Sequence, residues 1–382
     1  MKAGTDLKQL KVALVHDYLN DFGGAERVLM TLTQMFPQAP IYTAFVNRHG
    51  SAYAKFQHKQ IIAWRFQSLI NRYNLHSPFR FLIPYIWDSF DFSEYNLVIS
   101  SASGYITKGI ITPPDCLHVC YCHTPPRFLY GYPTARNWQK LWPVKLYAHW
   151  LIPRLRQYDF WAAQRPDVLV ANSKTVQRRI AKFYRRPSTV IYPPVNLSEI
   201  TAASQHYPDK QDYYLIVSRL VGAKGIRLAV EAARRLKFEL KIAGEGKPLA
   251  HSPPNVSWLG RVPDQQLWQL YAQAKGFLAL AQEEDFGMTV VEALAAGTPV
   301  IAYRSGGFVE TVTPRTGVFF AQYTVDSLAQ ALKTFEQKKW SAKACQTQAQ
   351  KFGSHQFVSQ LTKLIQQQLS CRQDKSQKNK VY

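Results

Sequence analysis

The chain has 382 residues, 46% hydrophobic and 19% charged, enough to bury more than one core, so two domains are expected. Five cysteines and no uncharged apolar run of about 18 residues exclude a disulfide framework and a membrane-spanning helix. With 47 Lys and Arg against 25 Asp and Glu, the net charge is +22, which predicts attraction to polyanions without choosing among nucleic acid, anionic lipid and phosphorylated substrates.

From the N-terminus, MKAGTDLKQLK lacks the apolar core of a signal peptide, so a cytoplasmic location is expected. Apolar runs bounded by turn residues then alternate with helical patterns: KVALVHDY with GGAERVLMTLTQMF, NLVISSA, LHVCYCH, VLVANS with KTVQRRIAKFY, and STVIYPPV. Short β-branched runs joined by helices read as buried parallel strands with crossovers, the α/β signature. The first 198 residues carry 24 Lys and Arg against 10 Asp and Glu. No acidic residue falls between Glu26 and Asp88, or between Asp115 and Asp159, and both gaps are filled by basic and aromatic residues.

Pro193-Pro194 and the polar interval NLSEITAASQHYPDKQD read as a helix-poor linker. The same grammar restarts beyond it with YYLIVSRL, GIRLAVEAARRL, FELKIAGEG, VSWLG, GFLALAQ, MTVVEALAAG, TPVIAY, GVFFA and a helix from Ser327. The expected architecture is α/β, two Rossmann-like domains, 1–198 and 199–382, facing across a cleft at their carboxyl strand ends. An amphipathic helix over 354–369 is open to packing back on the first domain, and the tail CRQDKSQKNKVY reads as disordered.

In the second domain the string EEDFGMTVVEALAAGTPVIAYRSGG places Glu284 and Glu292 eight residues apart, with Phe286-Gly287 between them at a helix start. A helix N-terminus behind a close-approach glycine is an anion site, and Glu292, one to two turns in, can accept from two hydroxyls. Upstream, VSRLVGAKGIRLAVEAARRL carries Arg219 at a strand end and Lys224 before Gly225, two cations suited to a diphosphate, one as a planar fork and one as a point charge. Each element alone has a bland reading, a solvated helix face or surface cations.

Together, in this order, these strings resemble the retaining nucleotide-sugar glycosyltransferases of family four, and most closely bacterial mannosyltransferases of cell-surface polysaccharides. The resemblance covers most of the chain and implies the glycosyltransferase B fold, with the first domain binding acceptor and the second donor. It places Glu284 beside the transferred sugar, the turn Phe286, Gly287, Met288 and Thr289 on sugar and phosphate, Glu292 on the ribose, and Arg219 and Lys224 on the diphosphate. It also places Gly244, in KIAGEGKP, at a glycine turn, and the backbone near Val262, in SWLGRV, against the base. In the first domain, Gly23 and Gly24 of HDYLNDFGGAERVL correspond to a glycine-rich loop touching donor phosphate or acceptor, with Glu26 or Asp17 on the acceptor. His123, before Thr-Pro-Pro, corresponds to a histidine near the anomeric carbon.

Strand alternation would put His118, Cys120 and Cys122 on one face; with Cys116 and His123 they raise zinc, but paired metal-knuckle spacings are missing. No metal and no cofactor are expected, and GDP-mannose is the favoured co-substrate. The stretches KFQHKQIIAWRFQSLINRYNLHSPFRFLIPYIW and RNWQKLWPVKLYAHWLIPRLRQ interleave Trp and Tyr with Lys and Arg, as in a headgroup layer or a base-stacking surface. An anionic membrane bearing a lipid-linked oligosaccharide or glycan acceptor is the expected partner, at the inner face of the plasma membrane, and no nucleic acid, because no reading motif is present. A UDP-sugar donor, a non-catalytic nucleotide-sugar-binding subunit, and an epimerase or phosphorylase on the same fold are the competing readings.

Overall fold

The computed structural model describes residues 7–72, 76, 78–132 and 142–379. They form two compact units, one built from the chain up to 194 together with the segment beyond 354, the other from 195–354.

The first unit holds seven parallel strands: β1 (Val12–His16), β2 (Ile41–Thr43), β3 (Ile61–Ala63), β4 (Leu97–Ala102), β5 (Leu117–Cys122), β6 (Val168–Ala171) and β7 (Thr189–Val190), in the order β3-β2-β1-β4-β5-β6-β7. Every residue of β1, β4 and β5 is buried, which is why these strands read as continuous apolar runs. Side chains alternate along β5: Leu117, Val119 and Tyr121 join one core, Cys120 and Cys122 another. The helix Gly24–Met35 covers the first core with Val28, Leu29 and Leu32, each worth about 1.5–3 kcal/mol when fully buried. Ser173 caps the helix Lys174–Tyr184 by accepting from the Val176 amide, satisfying one of the helix's orphan donors.

The second unit holds β8 (Gln211–Val217), β9 (Glu239–Ala243), β10 (Val256–Gly260), β11 (Ala274–Ala279), β12 (Val300–Tyr303) and β13 (Gly317–Phe320), all parallel, in the order β10-β9-β8-β11-β12-β13. In both sheets the first strand lies in the interior and the chain reverses its direction of growth beside it. That puts topological switch points between β1 and β4 and between β8 and β11, where open α/β sheets bind ligands at their carboxyl ends.

Two expectations need correction. The interval after Pro194 is not helix-poor: Leu197–His206 is a helix with Ile200 buried, because Ala202, Ala203 and the apolar Leu197 and Ile200 outweigh the polar neighbours. The unit boundary accordingly falls at Pro194–Val195. The polar tail does not begin a coil at Cys371; the last helix runs Ser354–Asn379. It lacks glycine and proline, and Arg372 anchors it to Asp167 and to the Pro114 carbonyl, while Phe357, Leu361 and Ile365 enter the core of the first unit. The second unit enters and leaves at one point, since the Val195 amide donates to the Phe352 carbonyl at 3.2 Å and the Ser354 amide to the Val195 carbonyl at 3.2 Å. Among the described residues no helix is long and apolar enough to cross a membrane.

Candidate functional site

At the second unit's switch point, the loop after β8 turns through Arg219 and a short 3-10 turn, Gly222–Lys224. Lys224 Nζ meets Glu284 Oε2, on the loop after β11, at 2.6 Å, with 26% and 19% of the two side chains exposed. Arg219 is exposed at the same end of the sheet. Neighbouring loops pack tightly around this pair. Gly244 has φ +140°, and a Cβ there would run into the Ser218 carbonyl; its amide donates to the Gly260 carbonyl at 2.7 Å. On the other side Gly306, at φ +56°, leaves no room for a Cβ against the Glu284 carbonyl, and the Gly307 amide donates to that carbonyl at 2.8 Å. Glu284 is thus set by backbone on one side and by Lys224 on the other.

Gly287 (φ +91°) precedes the helix Met288–Ala295. Phe286 turns inward, 2% exposed, edge-on to Phe352 with ring centroids 5.4 Å apart. That anchors the turn and leaves the helix's first amides, at Met288 and Thr289, in the orphan-donor position of any helix start. Glu292 is 2% exposed, so it is no solvated helix face, and Tyr271 donates its hydroxyl to Oε2 at 2.8 Å. Val262 lies half-buried on the loop after β10.

At the first unit's switch point the ends of β1, β4 and β5 meet through polar side chains. His16 Nε2 lies 3.3 Å from Glu26 Oε1 and His16 Nδ1 3.0 Å from Ser101 Oγ, and Ser101 Oγ lies 2.8 Å from His123 Nε2. The Gly23 amide donates to Glu26 Oε2 at 2.9 Å; Gly24 opens the helix beside it. Burial pushes the Glu26 carboxyl up, but the hydrogen bond and charge of His16 and the backbone donors outweigh it and hold the group below its ordinary value. Burial and the neighbouring His16 push His123 down to about 3. Burial, with Arg186 and Arg165 nearby, takes His118 also to about 3, and its Nε2 lies 2.8 Å from Ser100 Oγ. Asp17 Oδ2 accepts from the Ser103 amide and hydroxyl and from the Tyr105 amide, fixing the loop after β4. That loop passes through Ile106 in a left-handed conformation, φ 58°, costly for a β-branched residue. Lys108 then ties it down by a buried pair with Asp159 at 2.5 Å; burial works against the Lys108 charge, yet Asp159 holds its pKa above the ordinary value.

Known proteins place this arrangement. Residues 22–199 match the model of "Glycosyltransferase Family 4" and residues 198–352 that of "Glycosyl transferases group 1". The chain belongs to the group 1 glycosyltransferases of family four. Similar relatives include a GDP-mannose-dependent monoacylated alpha-(1-6)-phosphatidylinositol monomannoside mannosyltransferase of Corynebacterium glutamicum, 37% identical over 48% of this chain and 56% of that one. A glycogen synthase of Deinococcus deserti is 30% identical over 38% and 35%. The chain spans about half the length, or less, of the curated relatives it matches. Two solved structures share the glycosyltransferase B fold: sucrose-phosphate synthase from Thermosynechococcus elongatus (TM-score 0.71, 16% identical, covering 94% and 100% of the two chains) and Anabaena HepE in complex with UDP and glucose (TM-score 0.64, 18% identical, 94% and 99%).

In this family-four chain, Arg219, Lys224, Gly244, Val262, Glu284, the turn 286–289 and Glu292 all belong to the second unit, and His123, Gly23 and Gly24 to the first. Lys224 and Glu284, 60 residues apart, are brought into contact. Five contributing residues are not singled out by the sequence: Gly306, Gly307, Tyr271, His16 and Ser101. Two of them carried a readable signal, because His16 ends an otherwise apolar buried strand and Ser101 is one of two serines near the end of another.

Proposed function

We propose that this chain transfers a hexosyl group, with retention at the anomeric carbon, from a nucleoside diphosphate sugar to a hydroxyl of a glycan or lipid-linked acceptor, with mannose from GDP-mannose the favoured donor. The Lys224–Glu284 pair, whose lysine shares its loop with the exposed Arg219 at the switch point of the second unit, carries the reading. In the reaction the bond from the anomeric carbon to the diphosphate oxygen breaks and a bond to the acceptor oxygen forms. Arg219 and Lys224 stabilise charge on the departing diphosphate, and Glu284 and His123 position the sugar. The acceptor proton goes to the leaving phosphate, as family membership implies, so no side chain is assigned as base.

Mannose is supported by two GDP-mannose-dependent relatives, each 37% identical over its matched stretch. A UDP-sugar donor is the second reading, supported by the glycogen synthase relatives. Thermal-shift titration against GDP-mannose, UDP-glucose and UDP-galactose, followed by product analysis, separates them: a bound donor raises the midpoint with affinity. Stabilisation by GDP-mannose alone is expected; stabilisation by UDP-sugars alone would sink the mannose assignment, and binding without transfer to any acceptor would favour a non-catalytic subunit.

The acceptor side is assigned to an anionic membrane, with the enzyme peripheral on its cytoplasmic face. Trp142, Leu146 and Trp150 follow each other one helical turn apart along the helix Trp142–Ala162, 77%, 63% and 49% exposed, with Lys145 exposed among them and Arg154 over the Trp150 ring at 4.3 Å. Aromatic rings with flanking cations suit a headgroup layer. The preceding part of this basic-aromatic stretch, 136–141, and residues 73–75 and 77 of the other lie outside the described residues. Binding to anionic liposomes that fades with salt is expected; equal binding to neutral liposomes would remove the electrostatic part.

A further inference from the structure

Glu26, His16, Ser101 and His123 form one unbranched hydrogen-bond chain across the carboxyl ends of β1, β4 and β5. His16, Ser101 and His123 are 2%, 1% and 9% exposed, so the three inner junctions of the chain are shielded from water and each holds one proton between its two partners. The register places His16 opposite Ser101 on the adjacent strand, and the His123 amide donates to the Ala102 carbonyl at 2.9 Å, so backbone pairing holds all three in place.

The protons in this chain can be counted. The Glu26 carboxylate brings none: Oε2 accepts from the Gly23 amide and Oε1 faces His16 Nε2, so the proton at that junction belongs to His16 Nε2. Ser101 has a single hydroxyl proton and lies between two imidazole nitrogens. It donates to one of them and accepts from the other. When His16 carries only its Nε2 proton, its Nδ1 is a lone pair, Ser101 donates to it, and His123 donates from Nε2. His123 Nδ1 is then an acceptor. When His16 carries both protons the sense reverses: Ser101 donates to His123 Nε2, and His123 Nδ1 becomes a donor.

We infer that Glu26, His16 and Ser101 are positioning residues forming a proton relay, in which the number of protons on His16 sets whether His123 Nδ1 meets a sugar hydroxyl as acceptor or as donor. The part played by the sugar rests on the functional reading above; the relay itself does not. The charged groups facing it are few. Glu26 lies on the helix Gly24–Met35, and Asp17, next along the chain from His16, spends Oδ2 on the loop after β4. From β5, Tyr121 stands edge-on to His123 with centroids 5.2 Å apart. A hydroxyl chain of this kind transmits hydrogen-bond direction without moving a heavy atom, and which ring nitrogen is protonated is set by what the other one meets.

The full chain carrying 15N-labelled histidine tests this, since long-range proton–nitrogen spectra separate protonated from bare ring nitrogens, with H16Q and H123N assigning the signals. A singly protonated His16 must accompany His123 protonated at Nε2, and a doubly protonated His16 must accompany His123 protonated at Nδ1. Either opposite pairing in the unmodified protein overturns the relay. S101A should release His123 into a mixture of both tautomers while Glu26 still keeps a proton on His16 Nε2, and S101T, which keeps the hydroxyl, should restore the single tautomer. An unchanged His123 tautomer in S101A overturns the proposal as well. The spectra need no substrate, so the predicted pairing in a protein that transfers no sugar would refute the functional reading and leave the relay standing.

Discussion

Two lysine–carboxylate pairs of nearly the same length stand one in each unit. Lys108–Asp159, at 2.5 Å, is 1% and 0% exposed, whereas Lys224–Glu284, at 2.6 Å, is 26% and 19% exposed. The chemistry is shared and burial divides the roles. Two charges taken wholly out of water have nothing left to offer a ligand; they bind each other, with Tyr130 donating to the second Asp159 oxygen at 2.8 Å, and they hold a loop. A pair left partly in water keeps its attraction for a third charge, such as a diphosphate. Short ion pairs therefore do not identify a site until their access to solvent is known.

The comparison breaks first on turnover. R219A and K224A should each lower kcat by about 100-fold or more with the denaturation midpoint nearly unchanged, since a part-exposed pair contributes about 1 kcal/mol or less; near-normal turnover in both would end the diphosphate assignment. The buried pair should behave the other way. D159N leaves Lys108 charged with its carboxylate gone and should cost about 3–5 kcal/mol in urea unfolding, and a loss below about 1 kcal/mol would place this pair with the exposed one.

Acid gives the smaller, graded test. His118 and His123 are both held down to about 3 from an ordinary value of 6.5. Between those values the unfolded chain binds protons that the folded chain refuses, so stability falls as pH drops through that window, by about 1.4 kcal/mol per pH unit for each histidine. The lowered Glu26 acts in the same direction, its contribution being lost as pH falls through the carboxylate range. Urea midpoints at pH 7 and pH 5 should differ, and H118N should flatten the dependence; equal midpoints would show that neither histidine is held neutral.

Much of this was legible in the residues. The buried strands announce themselves as apolar runs, and the Phe-Gly between the two acids announces the turn and helix start that the structure places at Gly287 and Met288. What escaped is what depends on chain segments meeting far from each other in sequence. Gly306 looks like any strand-end glycine until the Glu284 carbonyl is found against it. Tyr271, on the helix Asp264–Gln273, is a buried core aromatic, yet its hydroxyl reaches Glu292 across 21 residues. The strands β2 and β3 were hidden for a different reason: each is three residues long, too short for any period to show. The last helix outran its apolar stripe because its continuation is held by Arg372, a contact with no pattern to reveal it.

The joint at Val195 and Ser354 has a practical reach. Since the second unit leaves the chain where it entered, it amounts to a single continuous cassette, and residues 195–354 could be exchanged with the matching segment of a relative by one cut at each end. The first unit is discontinuous and needs its closing helix. Losing the C-terminus would therefore harm the half that lies farthest from it along the chain, whereas the second unit could be regrafted while the first stays whole.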